Sequence, residues 1–563
     1  MLTVVAIFLI VTMITMTIGH FFCHCFWGEK EFISWDMNLI GGLCCCNIFS
    51  QIYSLFSGVG KAAFACLAVI WILISGYFFY RKRHIYKKWV DLFGTVLNKQ
   101  SIPAFIMVTI AVVLWTAIVP QHYDTYLYHA QAIHWIEDYG VVPGLGNLHF
   151  RLAYNSAYMP LQALFSFKWL LGRSLHAMNG FFTLFMLIYI MTSLGNKADK
   201  KPGLSDVLKC GTLLYVFYDS FHVSSPNTDT VALLLTFYII IKWSEFCEND
   251  IKSADPYAYL CLLTVYAMTL KVSVGVFALL TVCPAVILIK EKKVRDIFKY
   301  IISGILIVIP YIVRNIITSG YMLYTYKMSG IKKLDWIMPE KILQGDMAEI
   351  IAWGRGTLNV SRNDEHIWQW IGTWFSSINI LWKVLSVLTV ISIVYLVTGL
   401  VSKRREGKNL SYVVLIFVCM SGFFFWMFSA PLPRYGTIYM ISIPCLAFAD
   451  IFKVFLSSDK VYKNKKIILN LIRYATATAY MILFFGYSAV FGVRFPNVII
   501  QDDYDNKETY SVFLDDTEFA APIQGDQTGY EPFPSIPYPG SVKGIELRGD
   551  GLKDGFRQKQ IHE

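Results

Sequence analysis

The feature that most constrains this chain is a succession of long, nearly uncharged apolar runs, of which residues 2–19, 60–80 and 410–429 are clear examples. Each matches the roughly 17–25 residues needed to cross a ~30 Å hydrocarbon core. No water is available there to satisfy a backbone amide, so such runs must bond internally, as helices. A β-barrel is excluded because the runs are solidly apolar rather than alternating. Composition agrees: 56% of the 563 residues are hydrophobic and 16% are charged, where a soluble domain carries about a quarter charged residues. The expected fold class is an all-α polytopic membrane protein.

About fourteen candidate spans fall near 2–19, 36–57, 60–80, 103–119, 174–194, 206–221, 229–244, 256–270, 272–290, 299–317, 378–399, 410–429, 436–454 and 467–488. The second is interrupted by Gly41-Gly42 and Asn47, and the sixth is short. The first has no basic residue before Lys30 and no small-residue cleavage site, so it reads as a retained span rather than a signal peptide. Residues 256–290 form one apolar run that would be roughly 52 Å long as a single helix, too long for one span. A single helix would also set Lys271 deep in lipid, at a cost of about 3 kcal/mol. A turn at Lys271 removes that cost.

The basic clusters at Arg81-Lys82-Arg83 with Lys87-Lys88, Lys200-Lys201, Lys290 to Arg295, Lys403 to Lys408 and Lys460 to Lys466 belong on the cytoplasmic side. With these spans they fall on one face. Segments 120–173, 222–228, the Lys271 turn, 318–377, 430–435 and the tail after 489 then share the extracytoplasmic face of a cell (plasma or inner) membrane. The net charge of +10 is accounted for by the clusters and needs no nucleic-acid partner. The tail from about 496 is acidic and proline-rich, too short for an ordinary independent core. It is expected to lie over the outer face, with strands around Val542 to Leu547. No internal repeat is evident.

Chemistry concentrates in the first outer loop. Asp124 precedes Leu127, Ala130, Ile133 and Ile136, which recur at helical spacing and predict an amphipathic helix on the membrane surface. Asp124 reads evenly as its N-cap or as a general base for a bound hydroxyl. Tyr128 shares its face, His129 is rotated a further ~100° away, and both His129 and His134 read as interface contacts. Glu137-Asp138 reads as a solvated helix end in preference to a second acid. His149, Arg151 and Asn155 follow a turn at Pro143 to Gly146. Elsewhere on the same face stand Asp229, Lys271, Arg314-Asn315 and Arg434. An isolated arginine there is usually a snorkelling anchor, but several converging cations point to an anion such as a lipid phosphate. Each close pair near a surface supplies about 4 kcal/mol before desolvation. His20, Cys23, His24 and Cys25 match no common zinc spacing, and the twelve cysteines sit in or beside apolar segments as small hydrophobes.

A span followed by a large outer loop opening with an acid, here Asp124-Thr125-Tyr126-Leu127-Tyr128-His129, resembles the C-type glycosyltransferase superfamily (GT-C). Pro310-Tyr-Ile-Val-Arg-Asn315 with Ser319-Gly-Tyr321 is similar to a late-helix element of its bacterial members, although they often continue with proline where this chain reads Tyr324-Thr325-Tyr326. The Ser225-Pro226…Asp229 loop and the Leu270-Lys271 turn are similar in kind. Gly140 to Asn147, Ala430 to Tyr435 and Leu547 to Arg557 resemble a bacterial branch of such proteins. The resemblance covers roughly 103–563. It implies a division into additional N-terminal helices at 1–102, a catalytic core at 103–488 with outer loops 120–173 and 318–377, and an extracytoplasmic tail at 489–563.

The resemblance also implies an inverting glycosyl transfer from a polyprenyl-phosphate-linked sugar to a hydroxyl of a glycan, lipid or protein acceptor. Asp124 would be the base, and Tyr128, His129, Arg151, Asn155, Asp229, Lys271, Arg314, Asn315 and Arg434 would bind substrate. No cofactor is implied, and no second acid supports a divalent metal. The competing expectations are an envelope polysaccharide polymerase or ligase, which relies on loop arginines, and a lipid-linked sugar transporter or flippase, which predicts charges inside the spans. A non-catalytic envelope scaffold is the remaining class.

Overall fold

A computed structural model describes residues 1–28, 33–81, 101–194, 203–324, 326–401, 410–456 and 465–559. Among them are twenty α-helices, of which eight are long and apolar enough to cross a membrane. The helical class is as expected; the count of fourteen spans is not confirmed. Several of the expected segments form helices that are shorter, such as Ile102–Ala117 and Met178–Ser193. Residues 82–88, 200–201, 403–408 and 460–464, which hold most of the basic clusters that set the expected orientation, lie outside the described residues.

The helix Thr228–Glu248 is central and almost wholly buried. Around it pack Met178–Ser193, Leu204–Tyr218, Ala254–Leu270, Leu410–Ser429 and Pro433–Leu456. Other helices turn apolar side chains outward. On Ile380–Val401, the exposed Ile380, Val384, Val387, Ile391 and Val394 follow one another at helical spacing. An apolar stripe of that length facing away from the protein is what lipid requires.

The N-terminal helices share this core rather than forming a separate body. Leu2–Trp27 lies against Trp35–Ser54, and the reason is Gly19 together with Gly42, one of the two glycines that interrupt the second segment in sequence. A Cβ on Gly42 would stand 1.8 Å from the Thr15 carbonyl oxygen, and one on Gly19 would stand 1.7 Å from that of Asn38. Small residues let the two backbones meet, as is usual where helices associate in lipid.

The 256–290 run breaks where its lysine stands. Ala254–Leu270 ends at an extended Lys271, and the chain returns beside it as a tight 3-10 segment, Val272–Thr281, then Val282–Lys290.

Charges do occur inside the bundle, the feature that the transporter reading predicts. Lys242 pairs with Asp36 at 2.8 Å and with Glu245 at 3.3 Å, and Lys209 pairs with Glu245 at 2.8 Å. Lys242 and Glu245 are three residues apart on one helix, but Asp36 and Lys209 come from distant segments, so no single segment betrays the whole cluster. Mutual pairing is what makes such burial tolerable.

The tail forms two short antiparallel hairpins, Thr509–Leu514 with Thr517–Pro522 and Ile545–Leu547 with Phe556–Gln558. The second contains the expected strand near Val542 to Leu547. Both cover the first loop: Phe519, Ile536, Ile545 and Phe556 bury Trp135, Val142, Leu145 and Leu148 in a shared apolar cluster. The loop helix Ala130–Asp138 is thus packed in protein on two sides, its apolar face covered by residues 158–164 and by the tail.

Candidate functional site

Thr125–His129 forms a π-helical turn, with the Ala130 amide bonding back to the Thr125 carbonyl. The wider i→i+5 turn, a device frequent at functional sites, brings both Tyr128 and His129 round to one cavity. An α-helical register would have turned His129 away. Asp124 stands at the start of this turn but makes no side-chain capping bond. The capping reading is therefore corrected: the carboxylate is free to face elsewhere.

It faces Arg434, whose guanidinium donates to Asp124 Oδ2 at 3.4 Å and approaches Asp229 Oδ2 at 3.7 Å. Asp229 in turn pairs with Lys271 Nζ. Lys271 sits 4.1 Å from the centre of the Tyr435 ring, and Arg434 donates to the Tyr435 hydroxyl at 3.2 Å. Two carboxylates and two cations from four distant segments thus form one alternating chain. Asn227 holds the start of the Asp229 helix by accepting from the Thr230 amide.

These residues line a cavity of about 340 Å³. Tyr128, His129, Arg151, Asn155 and Arg314 line it too, so all the sequence-predicted site residues except Asn315 meet there. Asn315 lies one layer behind, accepting from Asn155 Nδ2 at 2.9 Å. Asn155 itself adopts a left-handed backbone, which asparagine tolerates better than most residues. Its Oδ1 accepts from Arg314 at 2.8 Å, and Arg314 also donates to Ser54 Oγ. Tyr154, Tyr324 and Trp353 form an aromatic wall with Tyr128, and Met347, Ile350, Phe425 and Trp426 extend the lining with apolar surface.

Burial opposes the charge on Asp124, but His129, His122, Arg434 and Arg151 outweigh it, so its carboxyl lies below the ordinary range. Burial pushes His129 down to about 4 and His122 well below its usual value. Both imidazoles are therefore neutral at pH 7, where Arg434 and Arg151 still favour the ionised Asp124 carboxylate. His122 Nδ1 accepts from the Asp124 amide at 3.1 Å, which fixes its neutral tautomer. Both ring nitrogens of His129 are buried without a partner.

Sequence reading missed several neighbours. His122 packs edge-on against His222 at 4.7 Å, and His222 Nδ1 lies 2.9 Å from Asp219. Asp346 accepts from the Tyr154 hydroxyl at 2.8 Å, and burial raises its carboxyl to about 6. Ser54 and Tyr435 were also unflagged. None belongs to a recognisable local pattern, because each is defined by a partner from another segment.

Glu137 and His134, by contrast, belong to the tail contact. Glu137 is buried, not solvated: it accepts from Ser174 at 2.6 Å and from the Tyr530 hydroxyl. His134 stacks between Tyr530 and Phe533. Asp138 does remain half-exposed, paired with Lys168 at 2.9 Å. Among the described residues no group of three or more His, Cys, Asp or Glu is placed to hold a metal ion.

Comparison with curated proteins and with solved structures finds no match. A family model described as a domain of unknown function, DUF8201, matches residues 1–441. The match begins with the N-terminal helices, includes every residue that lines the cavity, and stops short of the tail. The chain belongs to the DUF8201 family.

Proposed function

We propose that this protein is a membrane glycosyltransferase that moves a sugar from a polyprenyl-phosphate donor to an acceptor hydroxyl at the extracytoplasmic face. The observation that carries the reading is the Asp124–Arg434 pair in a cavity that sets further cations, Lys271, Arg151 and Arg314, beside a broad aromatic and apolar surface. A lipid-linked sugar needs such a combination: a phosphate beside cations, a sugar against aromatic faces, and a chain along apolar surface.

The network suggests how the base is released. A donor phosphate arriving at Arg434 and Lys271 competes with Asp124 and Asp229 for those cations. Arg434 then turns from the carboxylate to the phosphate, in a charge-assisted contact that can be bidentate. Asp124 takes the acceptor hydroxyl proton as the acceptor oxygen bonds to sugar C1. The C1–O bond to phosphate breaks, its electron pair leaves with the phosphate, and configuration at C1 inverts. Because the sugar carries much of the developing positive charge, a low-pKa carboxylate is an adequate base.

The transport reading would draw on the buried Lys242–Asp36–Glu245–Lys209 cluster, but those charges pair with one another and none lines the cavity. Purified protein given radiolabelled polyprenyl-phosphate sugars tests the proposal. Release of lipid phosphate with sugar transferred to acceptor supports it, and no consumption across a broad donor panel sinks it.

A further inference from the structure

Arg314 is 1% exposed, yet among the described residues it has no carboxylate partner. Its two terminal nitrogens donate to neutral acceptors, Ser54 Oγ and Asn155 Oδ1. Its Nε is buried without any partner, and the residue lines the cavity together with Tyr311, Asn155 and Thr318. A guanidinium removed from water and faced only by neutral groups is costly unless an anion joins it. Lys271 and Arg434 are different, since each already faces a carboxylate.

We infer that Arg314 is a second anion site, separate from the one beside Asp124, and that it receives a phosphate or carboxylate carried by the acceptor. This rests on the transferase reading for its assignment to the acceptor. In an inverting transfer the leaving phosphate departs from C1, close to the base, and the cations there are Arg434, Arg151, whose field also reaches Asp124, and, through Asp229, Lys271. Arg314 shares no hydrogen bond or ion pair with that chain among the described residues. It opens on the same cavity from a different wall, built by the Val294–Ser319 helix, Ser54 and the left-handed Asn155. The acceptor is therefore an acidic molecule whose charge is read at Arg314 while its hydroxyl reaches Asp124.

Equilibrium binding of radiolabelled inorganic phosphate to the purified full chain in detergent tests the site without any turnover. Arg314→Gln is expected to lose one equivalent relative to wild type. Arg314→Lys is expected to keep it at roughly tenfold lower affinity, having charge without the planar fork. Thr318→Asp leaves the arginine in place but plants a carboxylate one turn away on the same wall, and it too is expected to expel that phosphate. An unchanged number of bound phosphates in Arg314→Gln or Thr318→Asp overturns the site. A short-chain polyprenyl monophosphate is expected to leave the Arg314-dependent phosphate in place; its displacement would assign the site to the donor lipid and overturn the acceptor assignment. Failure of this binding is distinct from failure of sugar transfer, which is read by donor consumption.

Discussion

Arg434 reaches Asp124 across 310 residues of sequence, its guanidinium 3.4 Å from the carboxylate, while also approaching Asp229 at 3.7 Å. One cation is thereby shared between two acids, and the longer contacts leave it free to exchange partners. The pairing turns an acid at the entrance of a loop into an ionised group held ready at a cavity.

On the proposed mechanism, Asp124→Asn removes the proton acceptor while keeping size and most hydrogen bonding. Sugar transfer is expected to fall by about 10²–10⁴-fold, the usual worth of a general base, with donor binding retained. Undiminished transfer by the purified variant would remove Asp124 from the mechanism.

Arg434→Gln takes away one of the positive fields that lower the Asp124 carboxyl. The acidic limb of the pH–rate profile should therefore move to higher pH, alongside a weaker apparent affinity for donor. A limb that stays in place would show that Arg434 does not set the protonation of the base.

In the wild-type protein, activity is expected to be level between about pH 5 and 8. Asp124 is ionised throughout this window, and burial keeps His122 and His129 neutral, the latter at about 4. An inflection near the ordinary imidazole value of ~6.5 that persists in Asp346→Asn, which removes the carboxyl raised to about 6, would mean that a histidine of this cluster titrates in the reaction.

Asp346→Asn is expected to stabilise the protein at pH 7.5 and to have little effect at pH 4. Burial raises this carboxyl from 3.8 to about 6 in the folded state, so the folded form binds its proton more tightly than the unfolded form does. Stability from the protonated group is thus lost as pH rises through that interval. Two units correspond to at most about 3 kcal/mol. Thermal melting at both pH values checks the sign: equal shifts at pH 4 and 7.5 would contradict it.

Gly42→Ala puts a methyl group where the Thr15 carbonyl oxygen lies, 1.8 Å away. The Leu2–Trp27 and Trp35–Ser54 helices must separate, at a cost of about 1–3 kcal/mol typical of overpacking. Because Ser54 on the second helix holds Arg314, phosphate binding should weaken along with the melting temperature. A variant as stable as wild type would show that the close approach carries no weight.

The helical class and the break at Lys271 were legible because they depend on local facts: the length of uncharged runs, and one lysine where a single helix could not keep it. The site residues were legible as a set because polar groups are scarce in such a chain, so those near the ends of apolar runs stand out. The roles of several were not. Asp124 looked equally like a cap, since capping and catalysis use the same residue type at the same position, and only the direction of its side chain separates them. Glu137 looked solvated until the tail, nearly four hundred residues on, closed over it.

By itself, then, the sequence determined that the chain is helical and apolar enough for lipid, because backbone hydrogen bonding in hydrocarbon leaves no other choice for solidly apolar runs. Tertiary structure alone decided which charges meet: that Arg434 bridges Asp124 and Asp229, that Lys242 is neutralised inside the bundle, and that Arg314 faces only neutral groups. Electrostatic energy falls with distance in space, not in sequence, and these distances are set when helices from every part of the chain pack together.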